Sequence, residues 1–164
     1  MCLRDITPRH LWIACALGIA ALLLRVVFVF AYPVSSLAGA DPVAYWSFAQ
    51  GIASGQGFRS TFEPWLADRP PLYSIFLAIN FILFGESHVQ VFIAQSILGA
   101  VATAVFYICA VRVMRAGRGF IAGLFFALFP HFLLFTKQIL TESLYIPVLI
   151  RVFPTWREIG LDKM

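Results

Sequence analysis

Four polar residues of this chain, Asp41, Asp68, Arg69 and Glu142, are of the types that proton transfer and anion binding require. A carboxylate can take a proton from a hydroxyl group, and an arginine can hold a phosphate through paired hydrogen bonds. Each residue also has a structural alternative. Asp41 can cap a helix, and Asp68 can pair with Arg69 in a turn. Arg69 can instead anchor a helix at the headgroup layer, and Glu142 can lie at the start of a helix. Which role each residue has depends on the structural elements that position it.

The composition indicates an all-α, multi-pass membrane protein. Of the 164 residues, 61% are hydrophobic and 12% are charged, whereas an average soluble domain has about 25% charged residues. This much apolar surface excludes a soluble globule of this size and a disordered chain. The net charge is +4, but the basic residues form no patch with interleaved aromatics, so we expect no nucleic-acid partner. The three cysteines have no metal-ligand spacing and predict no disulfide framework.

Five apolar runs follow one another along the chain. The first, residues 11–32, is long enough to span a bilayer. Arg4 and Arg9 precede it and predict a cytoplasmic N-terminus, while Arg25 within it requires cover from other helices. A cleaved signal peptide ending at residues 38–40 is the alternative, but the run is long for one. The remaining runs are residues 72–84, 89–113, 120–135 and a fifth from Leu144.

The segment that begins at Asp41 and Pro42 predicts a short helix, with an acidic N-cap and proline at the first helical position. Its apolar residues recur at helical spacing until Gly51. Aromatic and small side chains dominate it. We expect an amphipathic helix that lies on the membrane surface.

The run 72–84 decides the topology. Its 13 residues form about 20 Å of helix, which is short of the hydrocarbon core of about 30 Å. If it crossed, the arginines at 112, 115 and 118 would lie outside, against the positive-inside rule. We therefore predict a juxtamembrane or re-entrant helix. Asp41, Asp68, Arg69 and Glu142 then share the extracytoplasmic side, while the run 120–135 crosses as a marginal fourth helix.

The order of several motifs resembles one family. They are Asp41-Pro42-Val43-Ala44-Tyr45, the glycine-rich 51–55, Asp68-Arg69-Pro70-Pro71-Leu72-Tyr73, Leu83-Phe84-Gly85, Ala127-Leu128-Phe129-Pro130 and Leu140-Thr141-Glu142-Ser143-Leu144. Together they are similar to the N-terminal part of the GT-C glycosyltransferases that use a polyprenyl-phosphate sugar donor. This group includes aminoarabinose transferases of lipid A and protein O-mannosyltransferases. The resemblance covers about residues 8–150.

The resemblance implies a role for each polar residue. It makes Asp41 the catalytic base, or the residue that orients the acceptor, and Arg69 the residue that holds the donor phosphate. Glu142 matches a second acidic position, and some members use this pair of acids for a divalent metal, Mg²⁺ or Mn²⁺, while others need none. Transfer would invert the anomeric centre of the sugar, and the acceptor would be a lipid, a glycan or a protein. Membrane lipids would surround the protein in the plasma (inner) membrane.

Aromatic side chains near these positions have two interpretations. Tyr45 and Tyr73, with Asp68, are candidates for binding the substrate, the two tyrosines by stacking on the sugar. Trp46 and Trp65 are similar candidates. Tyrosine and tryptophan are also enriched at membrane interfaces, and this alternative stays open for each of them.

The end of the sequence departs from the family pattern. Residues 1–150 fit the N-terminal part of a GT-C module, whereas 151–164 read as an aberrant or truncated tail, so we expect the chain alone to be an inactive fragment. Two other classes explain the apolar runs as well: a transporter fragment, and a small non-catalytic subunit that packs against partner helices. Transporters usually place ionisable residues near the midplane of the bilayer, which does not account for polar residues on one side.

Overall fold

The computed structural model describes residues 6–32, 40–59, 70–139 and 141, and this part of the chain is helical without a strand. The helices are α1 (Pro8–Ala31), α2 (Ala40–Ala53), α3 (Pro71–Phe84), α4 (His88–Val113), α5 (Ala116–Leu128) and α6 (Pro130–Phe135). The predicted all-α class is thus confirmed. The predicted tail 151–164 lies outside the described residues.

Two of these helices, α1 and α4, are long and apolar enough to cross a membrane. Their 24 and 26 residues correspond to about 36 and 39 Å of helix. The helices α3 and α5 are apolar but shorter. Together with the composition, this makes the chain a helical membrane protein.

The two long helices pack against each other through small residues. Gly18 of α1 lies so close to α4 that an added Cβ would sit 3.4 Å from the Ala100 carbonyl oxygen. Ala102 and Thr103 are buried as well. Since these small residues are covered within the chain, they do not leave a free surface for partner helices at this position.

Arg25 lies in the interface between α1 and α4, where only 2% of it is exposed. Its guanidinium donates a hydrogen bond to the Ala21 carbonyl, at 3.1 Å. A Cβ at Gly99 would sit 2.6 Å from the arginine Nε, so the glycine leaves the space that the side chain fills. The expectation that protein covers Arg25 is correct.

The helix α2 differs from its prediction in two respects. It begins at Ala40, so Asp41 lies inside the first turn rather than capping the helix from outside. It is also not amphipathic, because five consecutive residues, 45–49, are all buried. Neighbours cover it on several sides: the ring of Phe58 stacks on that of Phe48, with centroids 4.5 Å apart, and other side chains of α2 pack against α3 and the start of α4.

The predicted fourth spanning helix is wrong as a single element. It is divided into α5 and α6 at Phe129, whose φ of −62° and ψ of 118° are extended. Pro130 causes this break, because proline disfavours the helical conformation of the residue before it and has no N–H to donate. Neither half alone has the length that a membrane crossing requires, but together they lead from the end of α4 to the aromatic cluster, where Lys137 and Gln138 make their contacts.

Two groups of buried side chains hold the helices together. The aromatic cluster lies where α2, α3 and the start of α4 meet the end of α1, and its members are Val29, Tyr45, Trp46, Ala49, Tyr73, Leu77, Ala78, Phe81, Val91, Phe92 and Ile139. The second cluster lies near the start of α1 and the end of α4 and contains Ala14, Leu17, Tyr107 and Val111. The candidate site adjoins the aromatic cluster.

Candidate active site

Four of the predicted site residues lie in the described part of the chain. Asp41 is half-buried in the first turn of α2, and Tyr45, Trp46 and Tyr73 are buried in the aromatic cluster. Asp68, Arg69 and Glu142 lie outside the described residues. The geometry of the site is therefore built from the segments that lead to these three positions.

The helices α2 and α3 are joined near their N-terminal ends by the two tyrosines. The rings of Tyr45 and Tyr73 meet edge to face, with centroids 5.2 Å apart. Beside them, the Ser74 hydroxyl lies 3.4 Å from the Tyr45 carbonyl oxygen. Asp41 precedes Tyr45 by one helical turn, so this pairing fixes the start of α2 beside the start of α3.

Gln95 of α4 connects this pair to a third segment. The hydroxyl of Tyr73 donates to Gln95 Oε1 at 3.1 Å, and Gln95 Nε2 donates to the Gln138 carbonyl at 3.0 Å. Gln95 is 2% exposed, so both bonds are shielded from solvent within the protein. The side chain thereby ties α3, α4 and the segment after α6 together. Ile139, at the end of that segment, is fully buried in the same cluster.

Lys137 joins the same segment to the end of α1. Its ammonium group donates to the carbonyls of Val29, at 2.9 Å, and of Tyr32. The last carbonyls of a helix lack partners within it and carry partial negative charge, so a cation is favourable there. The ammonium also lies 5.9 Å from the centroid of the Phe92 ring. Lys137 is 6% exposed and is therefore, like Arg25, a charged residue buried in the interior of the protein.

The short loop between α3 and α4 is fixed on α2 by Glu86. Trp46 Nε1 donates to the Glu86 carboxylate at 2.8 Å, and the Gln50 amide donates to the same oxygen. The ring of His88 stacks on Trp46, with centroids 4.1 Å apart. Glu86 is thus more than the solvated loop charge that its position in the sequence suggests, because it joins α2 to the loop after α3.

The sequence contains no motif that identifies the partners of Glu86 or Gln95. Glu86 is separated from Trp46 by 40 residues and Gln95 from Gln138 by 43, and no local motif spans such distances. A glutamine in the middle of an apolar span was the available clue for Gln95, because a polar group there needs an internal partner. Lys137, beside a run of apolar residues, offered the same kind of clue.

A metal site is not evident in the described part of the chain, where no group of three or more histidine, cysteine, aspartate or glutamate side chains lies together. The pair of acids implied by the resemblance includes Glu142, which lies outside the described residues. Carboxylates suit Mg²⁺ and Mn²⁺, but Asp41 is the one member of that pair whose position is described.

Residues 68–154 match the family described as dolichyl-phosphate-mannose-protein mannosyltransferase. This match covers more than half of the chain. The chain belongs to this family. It is accordingly a glycosyltransferase of the GT-C type, with a lipid-linked sugar donor and a separate acceptor. Neither the curated proteins nor the solved structures contain a match to it.

The matched region begins at Asp68, so it contains Arg69 and Glu142 but not Asp41. It includes α3, α4, α5 and α6, and with them Tyr73, Gln95 and Lys137. The family match therefore comes from the part of the chain that includes the helices around the aromatic cluster and does not include Asp41. The roles of the individual residues in the site remain predictions.

Proposed function

We propose that the protein transfers a sugar from a polyprenyl-phosphate donor to an acceptor hydroxyl at the extracytoplasmic face of the plasma membrane, with inversion and with Asp41 as the base. The observation that carries this proposal is the convergence of three chain segments on the aromatic cluster. Tyr45, Tyr73 and Ile139 belong to that cluster. Each lies within four residues of one of the predicted polar groups, Asp41, Arg69 and Glu142.

The three segments are held by contacts that are long-range in sequence. The ring contact of Tyr45 with Tyr73 pairs the segment after Asp41 with the segment after Arg69. The hydrogen bonds of Gln95 pair the latter with the segment before Glu142. Such cross-links are what a preorganised site needs, because catalytic groups must be held in position by a packed surrounding. This is the support for a shared site.

The proposed reaction is a single displacement. The acceptor hydroxyl oxygen forms a bond to the anomeric carbon, while the bond from that carbon to the phosphate oxygen breaks. The hydroxyl proton passes to the carboxylate of Asp41, and polyprenyl phosphate leaves with the electron pair. Arg69 would stabilise the charge that grows on this phosphate, since a guanidinium offers a permanent charge and paired donors.

The substrate roles of Tyr45 and Tyr73 stay predictions with a strong structural alternative. Tyr73 is 1% exposed and Tyr45 is 5% exposed, so in this structure both rings serve the packing of α2 on α3. For Asp68 we keep the proposal that it contributes to the donor site beside Arg69. A bound divalent metal would supply charge neutralisation at the phosphate, and Asp41 with Glu142 would be its ligands.

The topology can be tested by labelling cysteines from each side of the membrane. The loop after α3 and the loop before α5 are proposed to lie on opposite sides. Gly85 has a φ of +87°, which is unfavourable for cysteine, so Ser87→Cys and Gly117→Cys are better probes. In a cysteine-free background we expect Ser87→Cys to react with an impermeant maleimide from outside and Gly117→Cys from the cytoplasm. Reaction of both from the same side would contradict the shared extracytoplasmic site.

The role of Asp41 is tested by Asp41→Asn. The assay is run on the chain and on a chimaera in which residues 1–150 are joined to the C-terminal helices of an active family member. Asparagine keeps the shape but cannot take a proton, and loss of a general base lowers rates by about 10²–10⁴-fold. We expect this loss in turnover with donor binding preserved. NMR of the product should show the inverted anomer.

The matched control is Glu63→Gln, which removes the same charge from the same polar stretch between the first two apolar runs of the sequence. It should keep turnover near that of the parent chimaera. Near-normal turnover of Asp41→Asn would make the catalytic assignment wrong. Arg69→Ala should weaken donor binding as well as turnover, which separates a phosphate ligand from a base. Chelation by EDTA, followed by addition of Mn²⁺ or Mg²⁺, shows whether a metal takes part.

A further inference from the structure

A cavity of about 530 Å³ opens at the end of the molecule remote from the aromatic cluster. It lies between the start of α1, the end of α4 and the start of α5. The lining residues that matter here are Arg9, His10, Ile13, Tyr107, Gly117 and Phe120. Its size is within the range of sites that hold small ligands, about 300–1,000 Å³.

The cavity lies at the boundary of the two long helices. The helix α1 begins at Pro8 and α4 ends at Val113, and these are the two helices that can cross a membrane. Their neighbouring ends therefore lie where the hydrocarbon core gives way to headgroups. A ligand in this cavity has one side towards water and one towards acyl chains.

The lining combines a guanidinium group, two further polar side chains and apolar walls. Arg9 supplies a guanidinium at the exposed side. Deeper in, His10 Nδ1 and the Tyr107 hydroxyl lie 3.0 Å apart, and both residues are buried. Ile13 and Phe120 are apolar. These three kinds of surface match, in this order, a phosphate, the glycerol attached to it and the first methylene groups of an acyl chain.

The charged residues that the structure describes around the cavity are positive. Arg112, Arg115 and Arg118 occupy the end of α4, the adjoining loop and the start of α5. The acidic residues that the structure describes, Asp41 and Glu86, belong to α2 and the α3–α4 loop, by the aromatic cluster. The positive-inside rule explains a surplus of arginine here, but it does not explain a cavity with a buried His10–Tyr107 pair.

We propose that this cavity binds the phosphate headgroup of an anionic phospholipid, of the phosphatidylglycerol class. Basic pockets between membrane helices suit such headgroups, because the charge attracts the phosphate and the apolar walls receive the adjoining chain. The site is separate from the proposed catalytic centre and does not depend on it. Arg9 binds the phosphate, and the His10–Tyr107 pair forms the polar floor.

The test is a titration of the purified, detergent-solubilised chain with phosphatidylglycerol, followed by native mass spectrometry. We expect Arg9→Gln to weaken binding about 30-fold, as expected for a hydrogen bond to a charged group. The matched control is Arg112→Gln, which removes the same charge at the same end from an exposed side chain that does not line the cavity. It should weaken binding no more than about fivefold, the effect of a basic residue near a charged surface.

A second variant changes no charge. A Cβ at Gly117 meets no atom within 4 Å, so Gly117→Leu is tolerated and adds bulk at the cavity. It should lower binding of phosphatidylglycerol to the level of Arg9→Gln. Equal losses in Arg9→Gln and Arg112→Gln, or unchanged binding in Gly117→Leu, would overturn the proposal. So would equal affinity for phosphatidylcholine.

Inorganic phosphate distinguishes a lipid from a soluble anion. Thermal unfolding is measured with phosphatidylglycerol and with inorganic phosphate. We expect the lipid to raise the melting temperature of the wild type and not that of Gly117→Leu. An equal increase with inorganic phosphate alone would show that the cavity takes a soluble anion and would contradict the lipid assignment.

Discussion

The two buried clusters both include α1 and α4, but they hold their helices together by different means. In the aromatic cluster, polar side chains link elements that are far apart in sequence. Gln95 bonds both the Tyr73 hydroxyl and the Gln138 carbonyl, and Lys137 donates to a carbonyl in the last turn of α1. In the second cluster the elements approach through small residues. There a Cβ on Gly123 would lie 3.2 Å from atoms of both Leu17 and Tyr107.

The aromatic cluster fixes the positions of its segments relative to one another, whereas the second cluster mainly allows helices to associate closely. Within a bilayer, helices associate through close packing of small residues, because lipid is as apolar as the side chains themselves. Hydrogen bonds between polar side chains add direction, and a network whose members are all bonded specifies one arrangement. The end that leads to the predicted catalytic residues is the one built on directed bonds. Mutations should therefore act differently at the two ends.

The largest effect is expected for Gln95→Leu. Leucine keeps the approximate volume but removes the buried hydrogen bonds that Gln95 forms with the Tyr73 hydroxyl and the Gln138 carbonyl. Removing one partner of a buried hydrogen bond costs about 1–3 kcal/mol, so we expect a loss of about 3 kcal/mol in the free energy of unfolding. Denaturant titration in detergent micelles measures it. Thr141→Cys, next to the predicted Glu142, should become more reactive in the same variant.

Gln90→Leu is the matched control on the same helix. Its Oε1 is buried without a hydrogen-bond partner, so replacement by an apolar side chain removes an unsatisfied group. Its stability should equal or exceed that of the wild type. If Gln95→Leu were as stable as Gln90→Leu, the hydrogen bonds of Gln95 would not hold the aromatic cluster together.

A smaller effect is expected at the other end for Gly119→Ala. The added Cβ would lie 2.6 Å from Val111 Cγ1 and 3.1 Å from the Val111 backbone nitrogen, which forces α5 away from α4. Such overpacking costs about 1–3 kcal/mol. Gly117→Ala, two residues earlier, meets no atom within 4 Å and should be neutral or stabilising. A neutral Gly119→Ala would show that the α4–α5 contact is not close-packed in the membrane.

The smallest effect is expected for Tyr107→Phe, which removes the hydrogen bond to His10 and keeps the ring. A single hydrogen bond between neutral groups contributes about 1 kcal/mol. A thermal unfolding scan should show a correspondingly small decrease. A loss as large as that of Gln95→Leu would mean that the second cluster also depends on directed polar bonds, and the comparison would fail.

The sequence predicted the elements better than their contacts. Hydropathy and length located α1, α3 and α4 to within three residues at each end, because a spanning helix is determined by a local average. Pro130 was visible in the sequence, yet the run 120–135 was interpreted as one helix, since apolar length was given more weight than the proline. For α2 the prediction of an amphipathic helix was wrong, because tertiary neighbours cover sides that no local pattern reveals; its place at the membrane surface stays a prediction.

The candidate site shows the same difference between local features, which the sequence predicts, and long-range contacts, which it does not. Asp41 could be singled out because an acid before proline is a local signal, although the structure places it within the helix. Glu86 and Gln95 could not, since their roles depend on partners about 40 residues away. Long-range hydrogen bonds follow from the fold, whereas helix boundaries are written into short stretches of sequence.

The position of Arg25 has a consequence for how the protein is made. The helix α1 leaves the ribosome before α4, so Arg25 must enter the membrane before Gly99 and its neighbours are there to cover it. Insertion of an arginine costs about 2.5–3.5 kcal/mol at the centre of a span and less towards its ends; Arg25 lies about 9 Å from the end of α1, between these two limits. The favourable insertion of the apolar residues of α1 must offset this cost during synthesis. A nascent chain without α4 should therefore insert α1 less completely than one in which α4 follows.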